Sequence, residues 1–279
     1  MMSVYEDFRH LSPAAAMLAR HAARPRGVAL AGVCVLTALG AAILGLLMTQ
    51  NGAGSFAFLK ALCGANAALD INAIAFALSF AAWAAMALVM MLPGAAPMLL
   101  TYAEIAETAA VKGAATVSPL VLAAGYLAVW IAFAGLASGI ETVISAQIPP
   151  VTEWAVFAVS GIIILAGLYQ FSALKHACLS RCRRPFAFFF ANWTDRAAGV
   201  FRLGLRQGLY CLGCCWALMA LMLFAGAMNL VWMAGLAAIM AAEKLTRSQM
   251  LPRVIGIVLI AAGAVILAIN SPLARAALG

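Results

Sequence analysis

The chain has 279 residues, of which 66% are hydrophobic and only 9% are charged. Soluble domains carry roughly 25% charged residues, so this composition excludes an ordinary soluble domain. The apolar stretches also exceed the ~18–20 residues that a helix needs to cross a bilayer. The formal net charge of +8 is therefore assigned to basic loops facing the cytoplasm and anionic lipid, and not to nucleic-acid binding.

The chain begins with a polar, basic leader at residues 1–27, which we place in the cytoplasm. The first apolar run starts near Val28, is long enough to span, and has no convincing small-x-small cleavage site behind it. We therefore expect a first transmembrane helix that is retained, and not a cleaved signal peptide.

Residues 28–270 are predicted to form one polytopic domain, an all-α bundle of seven transmembrane helices, followed by a short tail at 271–279. The sixth span is short and follows a tight turn from Gly226 to Asn229, so a re-entrant segment is the alternative there. The predicted spans are 28–49, 72–92, 118–138, 154–171, 204–226, 229–242 and 254–270.

The basic residues predict the orientation of this bundle. With the N-terminus in the cytoplasm, all of the 17 lysines and arginines except Lys60 and Arg275 fall on the cytoplasmic side. Basic loops favour the cytoplasmic face, so we expect the N-terminus inside and, after seven spans, the C-terminus outside. The largest cytoplasmic segment is then a basic loop at residues 172–203.

Two prolines interrupt the apolar pattern of the second span. Pro93 and Pro97 each remove a backbone hydrogen-bond donor from a helix. We expect the span to continue towards Ala110, either kinked or broken at the prolines, with nearby groups satisfying the freed carbonyls.

Soft and acidic side chains flank these prolines. Met90 and Met91 precede them and Met98 follows. Thioethers are soft ligands that suit Cu(I), although methionine is also a common filler of apolar cores. Glu104 lies near the cytoplasmic end of the same segment, where it could receive a cation or pair with Lys112.

A first group of cysteines lies in the basic segment. His176, Cys178 and Cys182 form the pattern H-x-C-x-x-x-C among basic residues that favour the thiolate. On a helix the two cysteines are one turn apart and His176 lies on another face; in a loop the imidazole could join them. Imidazole and thiolate together suit zinc or copper.

A second group opens the fifth span. Cys211, Cys214 and Cys215 are three and four residues apart, so a helix projects all three thiols from one side. Such a set can share a Cu(I) or Zn(II) ion, but buried cysteines also pack as small hydrophobes. We predict that the two groups meet at the cytoplasmic boundary, where structural disulfides are not expected.

Further along, Glu243 and Lys244 are neighbours at the inner end of the sixth span, and we expect them to form an ion pair. No phosphate-binding loop, dinucleotide fingerprint, H-E-x-x-H motif or catalytic triad is present in the sequence. The pattern therefore leaves enzyme activity open and leans against it.

Several segments between about residues 80 and 245 carry a family resemblance. The most specific is the run Tyr210-Cys211-Leu212-Gly213-Cys214-Cys215-Trp216, and the others include Met90-Met91-Leu92-Pro93, Gly125 to Trp130, Gly167 to Gln170 and Glu243-Lys244. Together they resemble the predicted metal-binding integral membrane proteins catalogued as domain of unknown function 2182. This resemblance implies a multi-pass protein of a bacterial inner membrane and a bound metal, with no known reaction.

Three functions fit the sequence. The first is handling of a soft metal ion, with Cu(I) preferred over Zn(II), through the cytoplasmic-side cysteines. The second is a membrane thiol redox enzyme that uses Cys211 and Cys214. The third is an accessory subunit of a membrane complex, in which the cysteines only pack. The expected partners are the lipid bilayer, a metal ion and further subunits.

Overall fold

The computed structural model describes residues 25–49, 71–147, 153–225, 230–246 and 248–270. All of the secondary structure in these ranges is helical, as the sequence predicts. The helices are α1 (Pro25–Thr49), α2 (Ile71–Val111), α3 (Pro119–Gln147), α4 (Glu153–Tyr169), α5 (Ala173–Cys182), α6 (Pro185–Ala191), α7 (Ala197–Ala225), α8 (Leu230–Leu245) and α9 (Met250–Ile269). The tail, most of the leader and the turn before the sixth span lie outside the described residues.

Five helices are long and apolar enough to cross a membrane, namely α1, α2, α3, α7 and α9. A sixth crossing results if α4 and α5 are counted as one span, since they are joined by a bend of 63°. Helix α8 has 16 residues, about 24 Å at 1.5 Å per residue, which is shorter than the bilayer core. The prediction of several apolar spans is confirmed, whereas the count of seven and the orientation stay predictions.

Helix α2 runs without interruption for 41 residues through Pro93 and Pro97. The expected break at the prolines was therefore wrong, the alternative of a kink there stays a prediction, and the continuation towards Ala110 is confirmed. Both proline rings are exposed, so neither ring has to be fitted into the protein core. The helix ends in a Schellman motif, in which Gly113 has a φ of 79° and Ala114 donates to Ala109.

Helices α2 and α3 pack antiparallel. Towards the start of α2, Trp83 Nε1 donates to Glu141 Oε2 at 2.9 Å. Towards its end, the Met91 carbonyl accepts from the Tyr126 hydroxyl at 3.2 Å. The two contacts place residues far along α3 beside the start of α2.

Glycines allow α3 and α7 to pack in direct backbone contact and parallel to one another. A Cβ on Gly204 would lie 2.2 Å from the Leu122 carbonyl oxygen, and one on Gly125 would lie 2.2 Å from the Phe201 carbonyl oxygen. One turn further on, Gly208 packs on Val129. Small residues four apart permit this close approach of helices within a membrane.

The expected basic loop at 172–203 contains two helices and the start of α7. Ser172 caps α5, because its side chain accepts a hydrogen bond from Lys175 N at 3.1 Å. Proline 185 begins α6, a position where its missing N–H leaves no helical bond unmade. The first cysteine group is therefore helical.

Candidate metal centre

Three cysteines of α7 form a compact group, which we call the thiol cluster: Cys211, Cys214 and Cys215. Their sulfur atoms all lie within 4.8 Å of one another, and all three side chains are buried. The spacing of three and four residues produces this convergence, because such positions share a helical face. Cys211 lies 14 residues after the start of α7, about four turns into the helix.

The thiols are arranged around one backbone carbonyl. Cys214 Sγ and Cys215 Sγ donate to the Cys211 oxygen, at 3.1 and 2.9 Å. Three sulfurs around a metal with bonds of about 2.3 Å would lie about 4 Å apart. The cluster therefore fits a shared soft ion after small rotations of side chains.

Lys244 approaches the thiol cluster from α8. Its Nζ lies 3.2 Å from Cys211 Sγ and 3.8 Å from the sulfur of Met91. Space for the ammonium comes from Gly94 of α2, where a Cβ would lie 3.2 Å from Nζ. An ammonium group in apolar surroundings is stable only beside a compensating group, and here the closest partner is a thiol.

Tyr126 contacts the cluster from α3. Its hydroxyl lies 3.0 Å from Cys211 Sγ and also donates to the Met91 carbonyl. The close packing at Gly125 and Gly204 brings the ring against α7. The hydroxyl therefore links α2, α3 and the first thiol of the cluster.

The expected ion pair between Glu243 and Lys244 does not form. Glu243 instead pairs with Lys175 of α5 at 2.7 Å, with side chains only 2% and 1% exposed. Adjacent helical residues point in different directions, which is why Lys244 faces the thiols. Arg183 donates to the Glu243 carbonyl at 2.6 Å, and burial lowers its pKa while the Glu243 carboxylate opposes that shift.

The structure brings the first cysteine group to the second. Cys178 is buried against α7, where a Cβ on Gly213 would lie 2.7 Å from its sulfur. Cys182 is partly exposed and interacts with the Cys214 thiol. Both cysteines of α5 therefore border the thiol cluster.

A small cavity adjoins the cluster, with a volume of about 20 Å³, enough for one water molecule or a bare ion. It is lined by Gly94, Ala95, Met98, Tyr126, Cys182, Gln207, Cys211 and Lys244. The Nε2 of Gln207 is buried there without a hydrogen-bond partner. Lys244 is therefore the donor that faces the Cys211 sulfur, while the Tyr126 hydroxyl directs its proton to the Met91 carbonyl.

Other expected ligands lie elsewhere. His176 is not in the thiol cluster and, because α5 is helical, it lies on a different face from Cys178. Glu104 is exposed and pairs with Arg26 of α1 at 2.8 Å. Met90 is buried in the core beside Met91.

Sequence reasoning missed Lys244 and Tyr126 as parts of the site. Both were present in segments that carry the family resemblance. Lys244 was predicted to pair with its neighbour Glu243. A cation at the end of a membrane span is a functional candidate in its own right, so Lys244 could have been predicted to belong to the site. No local pattern indicated that Tyr126 faces a cysteine 85 residues away.

The long apolar helices and the buried thiols define a multi-pass, metal-related membrane protein. The family model of PpoB2, described as a copper chaperone, matches residues 80–266, from α2 into α9. The match covers more than half of the chain, which therefore belongs to the PpoB2 copper chaperone family. It supports the metal-related character of the earlier resemblance without confirming that family's name. No curated protein and no solved structure matches the chain.

Proposed function

We propose that the protein binds Cu(I) as a transferable cargo on the thiol cluster. The observation that carries this proposal is the convergence of three buried thiols within 4.8 Å in a chain of this family. Packing alone would not call for an ammonium, a phenol and a second pair of cysteines around them.

The donor set favours Cu(I) over Zn(II). Among the described residues, the cluster contains three thiols and neither histidine nor carboxylate. Thiolates suit both ions, but structural zinc sites are almost always four-coordinate and this cluster has three thiols. Cys178, Cys182 and Met91 supply further sulfurs around it.

Charge balance supports the same cargo. Two thiolates and one neutral thiol around Cu(I) leave one net negative charge, which the Lys244 ammonium at 3.2 Å from Cys211 Sγ would neutralise. A neutral assembly avoids the large penalty of an isolated charge in an apolar interior. Cys182 is the partly exposed member of the five cysteines, so we propose that it exchanges the ion with a partner.

We further propose that this site faces the cytoplasm of a bacterial cell, with the N-terminus inside and the helices in the inner membrane. The asymmetric distribution of lysine and arginine supports this orientation. The reducing cytoplasm would also keep the thiols available for metal.

The test is copper quantification in protein purified without oxygen and loaded with Cu(I). The double variant C211S/C214S should lose the bound copper, since hydroxyls are poor ligands for a soft ion. Serine can keep the hydrogen bond that Cys214 makes to the Cys211 carbonyl, so the fold should persist in detergent.

The matched control is C34S, because Cys34 is exposed on α1, away from the cluster. This variant should keep all of its copper. Full retention of copper in C211S/C214S would instead show that these cysteines only pack.

A further inference from the structure

The buried methionines continue the thiol cluster along the bundle. Of the nine methionines whose side chains the structure describes, eight are buried and only Met250 is exposed, at 72%. All eight belong to the same contiguous core as the cluster cysteines. They are Met86, Met90, Met91, Met98, Met219, Met222, Met233 and Met240.

Three helices carry five of these methionines away from the cluster in one direction, while Met90 and Met91 lie at its level and Met98 lines the cavity beside it. Helix α2 is antiparallel to α3, and α3 is parallel to α7, so the start of α2 lies with the end of α7. A connection of four residues joins the end of α7 to the start of α8, which brings that end to the same side. Lys244, at the end of α8, contacts both Met91 and Cys211. These three residues therefore lie at the same height along the bundle, which serves as the reference level.

By their positions along each helix, five methionines fall at three successive heights above that level, which we call rungs. Met86 and Met240 lie about 6–8 Å along their helices, Met219 about 12 Å, and Met222 and Met233 about 16 Å, at 1.5 Å per residue. Successive rungs thus differ by about 5 Å in height, and a metal ion bound between two sulfurs spans ~4.6 Å.

A polar site lies at the far end of the rungs. The Glu141 carboxylate accepts from Ser79 Oγ at 2.6 Å and from Trp83 Nε1 at 2.9 Å. Ser79 and Trp83 lie about 18 and 12 Å before Met91 along α2, which places this carboxylate near the level of the last rung. An anionic group there would attract a cation that reaches the bundle from that side.

We propose that these thioethers form a path along which Cu(I) passes between the Glu141 end of the bundle and the thiol cluster. The proposal rests on the proposed function of the cluster. Each step between rungs breaks one copper–thioether bond and forms the next, so copper stays Cu(I) and neither electrons nor protons move. At the cluster, copper–thioether bonds are exchanged for copper–thiolate bonds, and the thiol protons that copper displaces are released to water. Leucine would fill the same volume but would supply no soft ligand. A thioether at every rung therefore offers Cu(I) a ligand that packing alone does not require.

The experiment uses the full chain in lipid vesicles that enclose a membrane-impermeant Cu(I) chelator. The path variant M219L/M222L/M233L removes the two far rungs, and leucine is close to methionine in volume. The control is M250L, at the exposed methionine. Wild type and M250L should fill the vesicles with copper, and the path variant should fall to the leak of protein-free vesicles.

Copper binding in detergent separates this inference from the proposed function. The path variant should bind copper at the cluster as wild type does. If copper enters vesicles equally fast with the path variant and with M250L, the path is overturned and the cluster function stands. The same conclusion follows if copper entry with wild type is no faster than into protein-free vesicles. A wild type that binds no copper overturns the cluster function itself.

A spectroscopic measurement tests the path without vesicles. Selenomethionine-labelled wild type is loaded with Cu(I) beyond the amount that fills the cluster. X-ray absorption should then show selenium neighbours around copper, and M219L/M222L/M233L should show fewer. Only sulfur and oxygen neighbours at every loading would overturn the path.

Discussion

At the scale of single residues, the site depends on which lysine is paired with a carboxylate and which lysine faces the thiols. Lys175 and Glu243 form a buried pair at 2.7 Å, which satisfies the carboxylate nearest to the cluster. Lys244 is left facing Cys211 Sγ at 3.2 Å. An ammonium at this distance would offset the negative charge of an anionic copper complex on the cluster.

Replacing Lys244 by leucine, which adds no metal ligand, should weaken Cu(I) binding without unfolding the protein. A hydrogen bond to a charged group contributes about 1.5–3 kcal/mol, so the dissociation constant should rise by about ten- to a hundredfold, at 1.4 kcal/mol per factor of ten. Competition with a Cu(I) chelator measures this change.

The control for Lys244 is K112L, because Lys112 is an exposed lysine just after α2 and does not line the cavity at the cluster. It should bind copper as wild type does. If K244L also kept the wild-type affinity, the ammonium would have no part in holding the metal.

At the scale of the elements, the sequence predicted the helices well and their packing poorly. Apolar length marked each long helix within a few residues at most ends, since burial in lipid demands continuous apolar runs. The break expected at the prolines of α2 does not occur, because an exposed proline ring can be accommodated in a continuous helix. The contacts of Lys244 and Tyr126 with Cys211 depend on how α3, α7 and α8 pack, which no local pattern encodes.

The α3–α7 crossing should control the site from a distance. An alanine at Gly204 would place its Cβ 2.2 Å from the Leu122 carbonyl oxygen, so the helices must separate and carry Tyr126 away from Cys211. We expect G204A to lower both thermal stability in detergent and copper affinity.

Gly139 provides the matched control on α3, because a Cβ there meets nothing within 4 Å. G139A should therefore be close to wild type in both measurements, or slightly more stable, since alanine favours helix. Indistinguishable behaviour of G204A and G139A would contradict the tight crossing.

At the scale of the whole molecule, the cluster draws on five helices: α2, α3, α5, α7 and α8. Alternating helix directions and basic loops on one face predict that both cysteine groups lie at the cytoplasmic side. The buried, metal-related site is therefore a property of the assembled bundle and not of any single segment.

Reporter fusions test this orientation. A fusion after Gly54 should report the outer side and a fusion after Arg184 the cytoplasm, because the intervening chain crosses the membrane an odd number of times in the predicted topology. Alkaline phosphatase and a fluorescent protein give complementary signals at each site. Both fusions reporting one side would overturn the topology.

The central claim is that Cu(I) is held by the thiols of Cys211, Cys214 and Cys215. X-ray absorption at the copper edge, on protein carrying one equivalent of Cu(I), tests it most directly. We predict a first shell of sulfur alone in wild type and C34S, and loss of that shell in the triple serine variant of the cluster. An unchanged sulfur shell in the triple variant, or nitrogen and oxygen neighbours in wild type, would contradict the claim.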